Sequence, residues 1–409
     1  MSLIKKYRHF FITAPIAIGV VFGAAGFFSV ASHFDGALSW NDEGCKGEKC
    51  GSETLPPAEP PVVHLKTPEP VKGIYMTACV AGTPSWRERL AKLADDTEIN
   101  AIVIDVKDYT GTIAFDTEDK TLTGLSGSGC RVRDMKEFVK NLHERGIYTI
   151  ARITVFQDPL MSKSRPDLAI KKASDHNVVW KDRKGLSFID PGAKEHWDYI
   201  VKIAEESYAI GFDELNFDYI RFPSDGDMKD IYFSWSEETL AADKAFGKAK
   251  ALRKFFEYLS ATLRQEIPEA KLSADLFGMT TTNSDDLNIG QVLEYTAPYF
   301  DYIAPMVYPS HYPTNFNGWK NVNAHGYDIV KFSMTRAAER LVAASTTPTK
   351  LRPWLQDFDY PVEYTAPMVI EQKQATYDAG LTSWMMWDAG NKYTPAAYES
   401  SQSASLMGN

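Results

Sequence analysis

Three stretches of this chain alternate apolar and ionisable residues with a period of two, and their polar positions are the first candidates for chemistry. In Phe212-Asp-Glu-Leu-Asn-Phe-Asp-Tyr-Ile-Arg-Phe-Pro223, Glu214, Asn216 and Asp218 share one face, and Leu215, Phe217 and Tyr219 the other. In Ile104-Asp-Val-Lys-Asp108, Asp105 and Lys107 oppose Ile104 and Val106. In Ser273-Ala-Asp-Leu-Phe-Gly278, Ser273, Asp275 and Phe277 oppose Ala274 and Leu276. A strand sends alternate side chains to opposite faces, so each stretch presents a carboxylate to one side. Two carboxyl groups facing one cleft can cleave a glycosidic bond. One protonates the leaving oxygen, and the other attacks the anomeric carbon or activates a water. Asp218 is the candidate nucleophile or base. Asp275 is the candidate general acid, and desolvation beside Asp218 would raise its pKa towards working pH.

Such side chains need strands to carry them. Strand-like runs are expected at 71–77, 100–107, 147–156, 212–222, 271–278, 302–308, 351–358 and 381–388. Helical patterns lie between them, such as a capping box at Ser85-Trp-Arg-Glu88 and an amphipathic run at 132–145 stopped by Gly146. Eight alternating units predict an α/β chain folded as a (β/α)8 TIM barrel, with a doubly wound open sheet as the alternative. In a barrel the polar faces point to the axis, and strand C-terminal ends form the active-site face. The third strand would then aim Arg152 and Thr154 inward, and the eighth Trp384, Met386 and Asp388. Buried charges are costly unless paired or used. For the deeper Asp105 and Glu214, the competing reading is an internal network in which Lys107 or Arg152 holds Asp105. Asp357 is a third carboxylate candidate, and its alternation with Gln356 lets one of the two reach the cleft. Trp354, Trp384, Trp387, Tyr308 and Tyr109 fall at strand ends or just beyond, where aromatic rings suit sugar faces, although each is also an ordinary core filler. Segments 159–191 and 223–233 would wall the cleft. The substrate-facing set is therefore Asp105, Lys107, Arg152, Asn216, Arg221, Tyr308, Trp354, Gln356, Asp357, Trp384 and Asp388.

The rest of the chain bears on location. Lys5, Lys6 and Arg8 precede an almost uncharged apolar run from Phe10 to Val30, long enough to cross a bilayer. Residues 1–31 are expected to form an inner-membrane anchor that leaves the body extracytoplasmic. Ser29 and Ala31 offer a cleavage site that would instead release it. Residues 32–70 are rich in Gly, Glu and Pro and predict an extended spacer. The barrel is expected over 71–392, followed by a polar, frayed tail over 393–409. Cys79 and Cys130 fall after the first two strands, on the same barrel end, where an exported protein would join them. Cys45 and Cys50 could close a small loop. Four free thiols are the alternative.

Across the Phe-Asp-Tyr-Ile-Arg-Phe-Pro block the chain resembles the bacterial glycoside hydrolase family long classed as a domain of unknown function. Val71-Lys-Gly-Ile-Tyr75, Ile104-Asp-Val-Lys-Asp108, Ser273-Ala-Asp-Leu-Phe-Gly278 and Tyr302-Ile-Ala-Pro-Met-Val-Tyr-Pro309 are similar to its other blocks. The resemblance implies a barrel related to the α-amylase-like glycosidases, with Asp218 in the place of the strand-four nucleophile. Strand five of that wider group usually carries Glu, where this chain has Asp275.

Other functions fit less well. The formal net charge of −10 disfavours nucleic acid and polyanions and suits a neutral or cationic partner. No CxxC or Cys/His spacing suggests zinc, and the eight His show no ligand spacing for a metal-dependent deacetylase. No Gly-rich phosphate loop follows a strand, and no cofactor is expected. A polysaccharide or oligosaccharide is the expected partner. A non-catalytic carbohydrate-binding or envelope scaffold protein is the competitor, although such a protein would tolerate Asn or Ser at 218 and 275.

Overall fold

The computed structural model describes residues 62–122 and 129–400. Eight parallel strands run in chain order and close on themselves. They are β1 (Lys72–Met76), β2 (Ala101–Lys107), β3 (Tyr148–Thr154), β4 (Glu214–Asp218), β5 (Lys271–Phe277), β6 (Tyr302–Met306), β7 (Trp354–Gln356) and β8 (Trp384–Trp387). β8 pairs back onto β1, with Lys72 opposite Trp384. The crossovers hold α1 (Ala78–Ala81), α2 (Pro84–Asp96), α3 (Met135–Glu144), α4 (Pro159–Ser164), α5 (Lys194–Ala209), α6 (Glu237–Ala242), α7 (Gly247–Glu266), α8 (Leu293–Thr296), α9 (Gly326–Ala343) and α10 (Ala366–Asp378). This is the (β/α)8 barrel expected from the alternation.

Periodicity explains most of the layering. In α3, Met135, Phe138, Val139 and Leu142 recur at helical spacing and are buried. Arg145 caps the helix, and Gly146 turns the chain at φ +74°, a conformation that favours glycine. The outward strand residues Ile102, Ile104, Leu215, Phe217, Leu272 and Ala274 join the apolar layer beneath the helices. Burying each large side chain of this kind contributes roughly 1.5–3 kcal/mol. A second cluster fills the lumen, built on Tyr75, Val103, Tyr148, Ile150, Trp354 and Met385.

Four expectations need correction. The Ser85–Glu88 capping box does not open α2. Pro84 does, with Thr83 at the cap, because proline's fixed φ and missing N–H suit the first turn. Lys107 does not point inward. The register slips between Asp105 and Lys107, which puts Lys107 opposite Ile153 on the outer face. There its Nζ donates to Thr154 O at 2.7 Å and pairs with buried Asp158 at 2.9 Å. Tyr219 leaves the helical layer because β4 ends at Asp218 and Tyr219 takes φ +51°. Finally, β8 sits in the opposite register. Trp384 and Met386 face the helices, with Trp384 Nε1 donating to Tyr377 on α10, whereas Met385 and Trp387 face the lumen.

Both chain margins are more ordered than their composition suggests. The expected spacer to residue 70 already packs on the barrel from 62: Leu65 N donates to Asp213 at 2.6 Å, and Thr67 shares a hydrogen bond with Tyr148. Over the described residues 393–400, the expected frayed tail is a clamp. Tyr393 donates to Tyr75 O and Tyr398 to Asp357, both rings being buried. Glu98 N donates to Glu399 O at the foot of β2. The expected membrane anchor, Cys45 and Cys50 lie outside the described residues. Among the described residues no helix is long and apolar enough to cross a membrane. Cys79, on α1, and Cys130, after β2, form a disulfide with Cα atoms 4.8 Å apart.

Candidate active site

Three carboxylates from three strands meet one guanidinium at the C-terminal end of the barrel. Arg152 on β3 donates from one Nη to Asp105 on β2 at 2.6 Å and from the other to Asp218 on β4. Its Nε is buried without a hydrogen-bond partner and faces Asp275 on β5 at 3.8 Å. The guanidinium lies over Trp387 and Tyr75, 5.0 and 5.4 Å from their ring centroids. Those two rings stack on each other at 3.8 Å. Tyr75 donates to the second oxygen of Asp105 at 2.5 Å. Asp218 also accepts from the Tyr219 backbone N–H at 2.5 Å, a bond made possible by the left-handed turn there.

One cation cannot neutralise three buried anions, and the proton distribution answers this. Burial, then the charge of Asp218, pushes the pKa of Asp275 up to about 8, against the opposing pull of Arg152. Asp275 is therefore a neutral acid at pH 7. One of its oxygens accepts from Asn216 Nδ2 and Trp354 Nε1, each at 2.9 Å. Burial also raises the pKa of Asp105, opposed by Arg152 and Tyr75. Burial disfavours the Arg152 charge, yet Asp218 and Asp105 outweigh it and hold the group protonated.

The network opens into a cavity of about 330 Å³ lined by Arg152, Asp218, Tyr219, Arg221, Phe277, Gly278, Met279, Met306, Tyr308, His311, Tyr312 and Trp387. A second hollow of about 710 Å³ shares Tyr308, His311 and Trp387 and continues over Asp357, Phe358, Asp388 and Lys392. Together they form a groove across the strand ends, of a size that takes sugar rings. Gly278 permits its floor. A Cβ there would come within 2.3 Å of Met306 O and 2.8 Å of the Tyr312 hydroxyl. Burial, then the proximity of Asp275 and Asp218, raises the pKa of Tyr308 and keeps it a phenol. Burial lowers the pKa of His311.

The structure gathers part of the expected set. Asp218, Arg152, Arg221 and Tyr308 line the first cavity, and Asp357 and Asp388 the second. Asp275, Asp105, Asn216 and Trp354 lie just beneath, at most 3% exposed. Trp354 is thus a donor to Asp275 and not a sugar platform. Gln356 is fully buried; it accepts from Ser310 and donates to the Phe358 and Tyr360 carbonyls, while Asp357 reaches the groove. Lys107 and Trp384 lie outside the groove, in the helical layer. The carboxylate Glu214 belongs to a deeper pair with Arg352 at 2.8 Å. Sequence reading missed Tyr75, His311, Met306 and the inward turn of Tyr219. Tyr75 was legible, because Ile74 and Met76 flank it on β1. The turn at Tyr219 had no signal.

Comparison with known proteins agrees with this geometry. A family model described as "Putative glycosyl hydrolase domain" matches residues 73–393. The glycoside hydrolase domain of PgaB (BpsB) from Bordetella bronchiseptica superposes with a TM-score of 0.53 at 12% identity, covering 79% of this chain and 95% of that one. The catalytic domain of a β-amylase from Paenibacillus polymyxa gives 0.52 at 10% identity, covering 82% and 96%. A hypothetical protein from Ruminiclostridium thermocellum is 31% identical over 49% of this chain and 96% of its own, with a TM-score of 0.42. No curated protein matches.

Proposed function

The chain belongs to this glycosyl hydrolase domain family, and from that premise we propose that it hydrolyses a glycosidic bond in an extracellular or cell-envelope polysaccharide. The observation that carries the reading is the pairing of Asp218 with a neutral Asp275 across a single guanidinium. Asp218 lines the cavity and accepts hydrogen bonds from Arg152 and the Tyr219 N–H. It acts as nucleophile or as base for a water. Asp275 supplies the proton to the leaving oxygen, and Asn216 and Trp354 fix its orientation. The Trp387 and Tyr308 rings support the sugar beside these groups. The Cys79–Cys130 disulfide supports an extracytoplasmic location, and the apolar run from Phe10 to Val30 is the proposed membrane tether.

Two substitutions test the assignment on a panel of bacterial polysaccharides. Asp218→Asn is expected to lose at least about 10³-fold in kcat/KM with unchanged thermal unfolding; an unchanged rate removes Asp218 from the chemistry. Asp275→Asn is expected to recover most of its lost rate on an aryl glycoside whose leaving group needs no proton. Failure of that recovery would make Asp275 a positioning residue for Arg152. A protein that retains the panel polymers without cutting any would be a binding module.

A further inference from the structure

The cations that face the barrel interior or lie just behind it are matched to carboxylates: Arg152 to Asp105 and Asp218, Arg352 to Glu214, and Lys107 to Asp158. Arg221 is the exception. It lines the cavity beside Asp218, yet no carboxylate of the described residues lies within ion-pair distance of it. Among the described residues its hydrogen bonds run from one Nη to Phe222 O at 3.1 Å and to Ser224 Oγ at 3.2 Å. Aromatic faces seat the guanidinium, with Phe277 and Tyr219 at 4.9 and 5.1 Å and Phe188 at 6.0 Å. Burial lowers its pKa despite the pull of Tyr219 and Asp218. Arg221 is half-buried, so its charge is only partly hydrated, and it faces the space where substrate would sit with no counter-ion among the described residues.

Resting on the hydrolase reading above, we propose that Arg221 is a subsite for a carboxylate carried by the sugar next to the bond broken at Asp218. With one Nη engaged, Nε and the other Nη form a planar fork, the edge that receives a carboxylate through two parallel hydrogen bonds. The aromatic seat holds the fork in plane. The chain's net charge of −10 repels a densely charged polymer, so the fitting substrate carries its carboxylate sparsely along an otherwise neutral glycan. That carboxylate sits either on the ring, as in a uronic acid, or on an ether-linked acid, as in muramic acid.

The test compares each glycan in native and carboxyl-reduced form, with uronic-acid and muramic-acid arms to separate the two sources. The wild-type ratio of kcat/KM, native over reduced, is expected to reach on the order of 10- to 100-fold in one arm. In Arg221→Gln that ratio should fall towards one, and Arg221→Lys should restore only part of it, because lysine lacks the fork. A wild-type ratio near one in both arms, or a ratio that Arg221→Gln leaves unchanged, overturns the proposal. Affinity electrophoresis of the Asp218→Asn protein separates this from failure of the hydrolase reading. Retardation by native glycan that disappears on adding Arg221→Gln sustains the subsite even where nothing is cut. Equal retardation by both forms, or none by either, refutes it.

Discussion

Asp275 keeps its proton because burial and the neighbouring Asp218 charge outweigh Arg152. Hydrolysis by a neutral acid requires that proton, so kcat/KM should fall along an alkaline limb with a midpoint near pH 8. Stability carries the same signature. The folded pKa lies above the unfolded carboxylate value of about 3.9, so the folded state binds more protons between roughly pH 4 and 8. Unfolding free energy should decline with pH across that window and level off above it. Urea titrations of wild type and Asp275→Asn would show the slope disappearing in the variant; an unchanged slope would assign it to another group. Arg152→Met removes the only cation shared by the three carboxylates and should cost about 3–5 kcal/mol, read as a lower urea midpoint. The inward placement of these groups was legible where a charged face alternates with an apolar one, as at Asp105, Asn216, Asp218 and Asp275. Lys107 misled because one extra residue in β2 flips a side chain while leaving the pattern of residue types intact. Tyr219 misled because its turn depends on a positive φ that a tyrosine does not advertise.

Strands and their connections decide which residues meet. β8 reads Trp-Met-Met-Trp, apolar on both faces, so periodicity could not say which tryptophan enters the lumen; pairing with β1 decides it. Where β5 ends, the tight approach at Gly278 sets the cavity floor. Gly278→Ala should force the Met306 carbonyl and the Tyr312 hydroxyl apart, lowering both thermal stability and turnover. Loss of neither would mean that the floor is pliable. The Cys79–Cys130 bond closes a span of 51 residues that contains β2. By loop entropy it contributes about 4 kcal/mol. Replacing both cysteines with serine should lower the denaturation midpoint accordingly while leaving the Asp218 end of the groove in place.

At the scale of the molecule, the barrel is braced by residues that its strand pattern does not include. Tyr393 and Tyr398 pin the last described segment to Tyr75 and Asp357, so the tail braces two strands that build the groove. Truncation after Lys392 should cost on the order of 3–5 kcal/mol through the buried rings alone, and activity should fall with stability in thermal-shift and turnover assays. Composition hid this clamp because only two buried tyrosines mark it within a polar stretch. The opposite margin behaves alike. Leu65 and Thr67 are fastened to Asp213 and Tyr148, at the feet of β4 and β3, and Glu399 is fastened beside β2 at Glu98. Both ends of the described chain thus leave by the floor of the barrel, while the groove opens at its roof. A bead or fusion partner joined directly at residue 62 or residue 400 would hold the barrel as a handle holds a cup, with its mouth turned outward and free for a long polymer to cross.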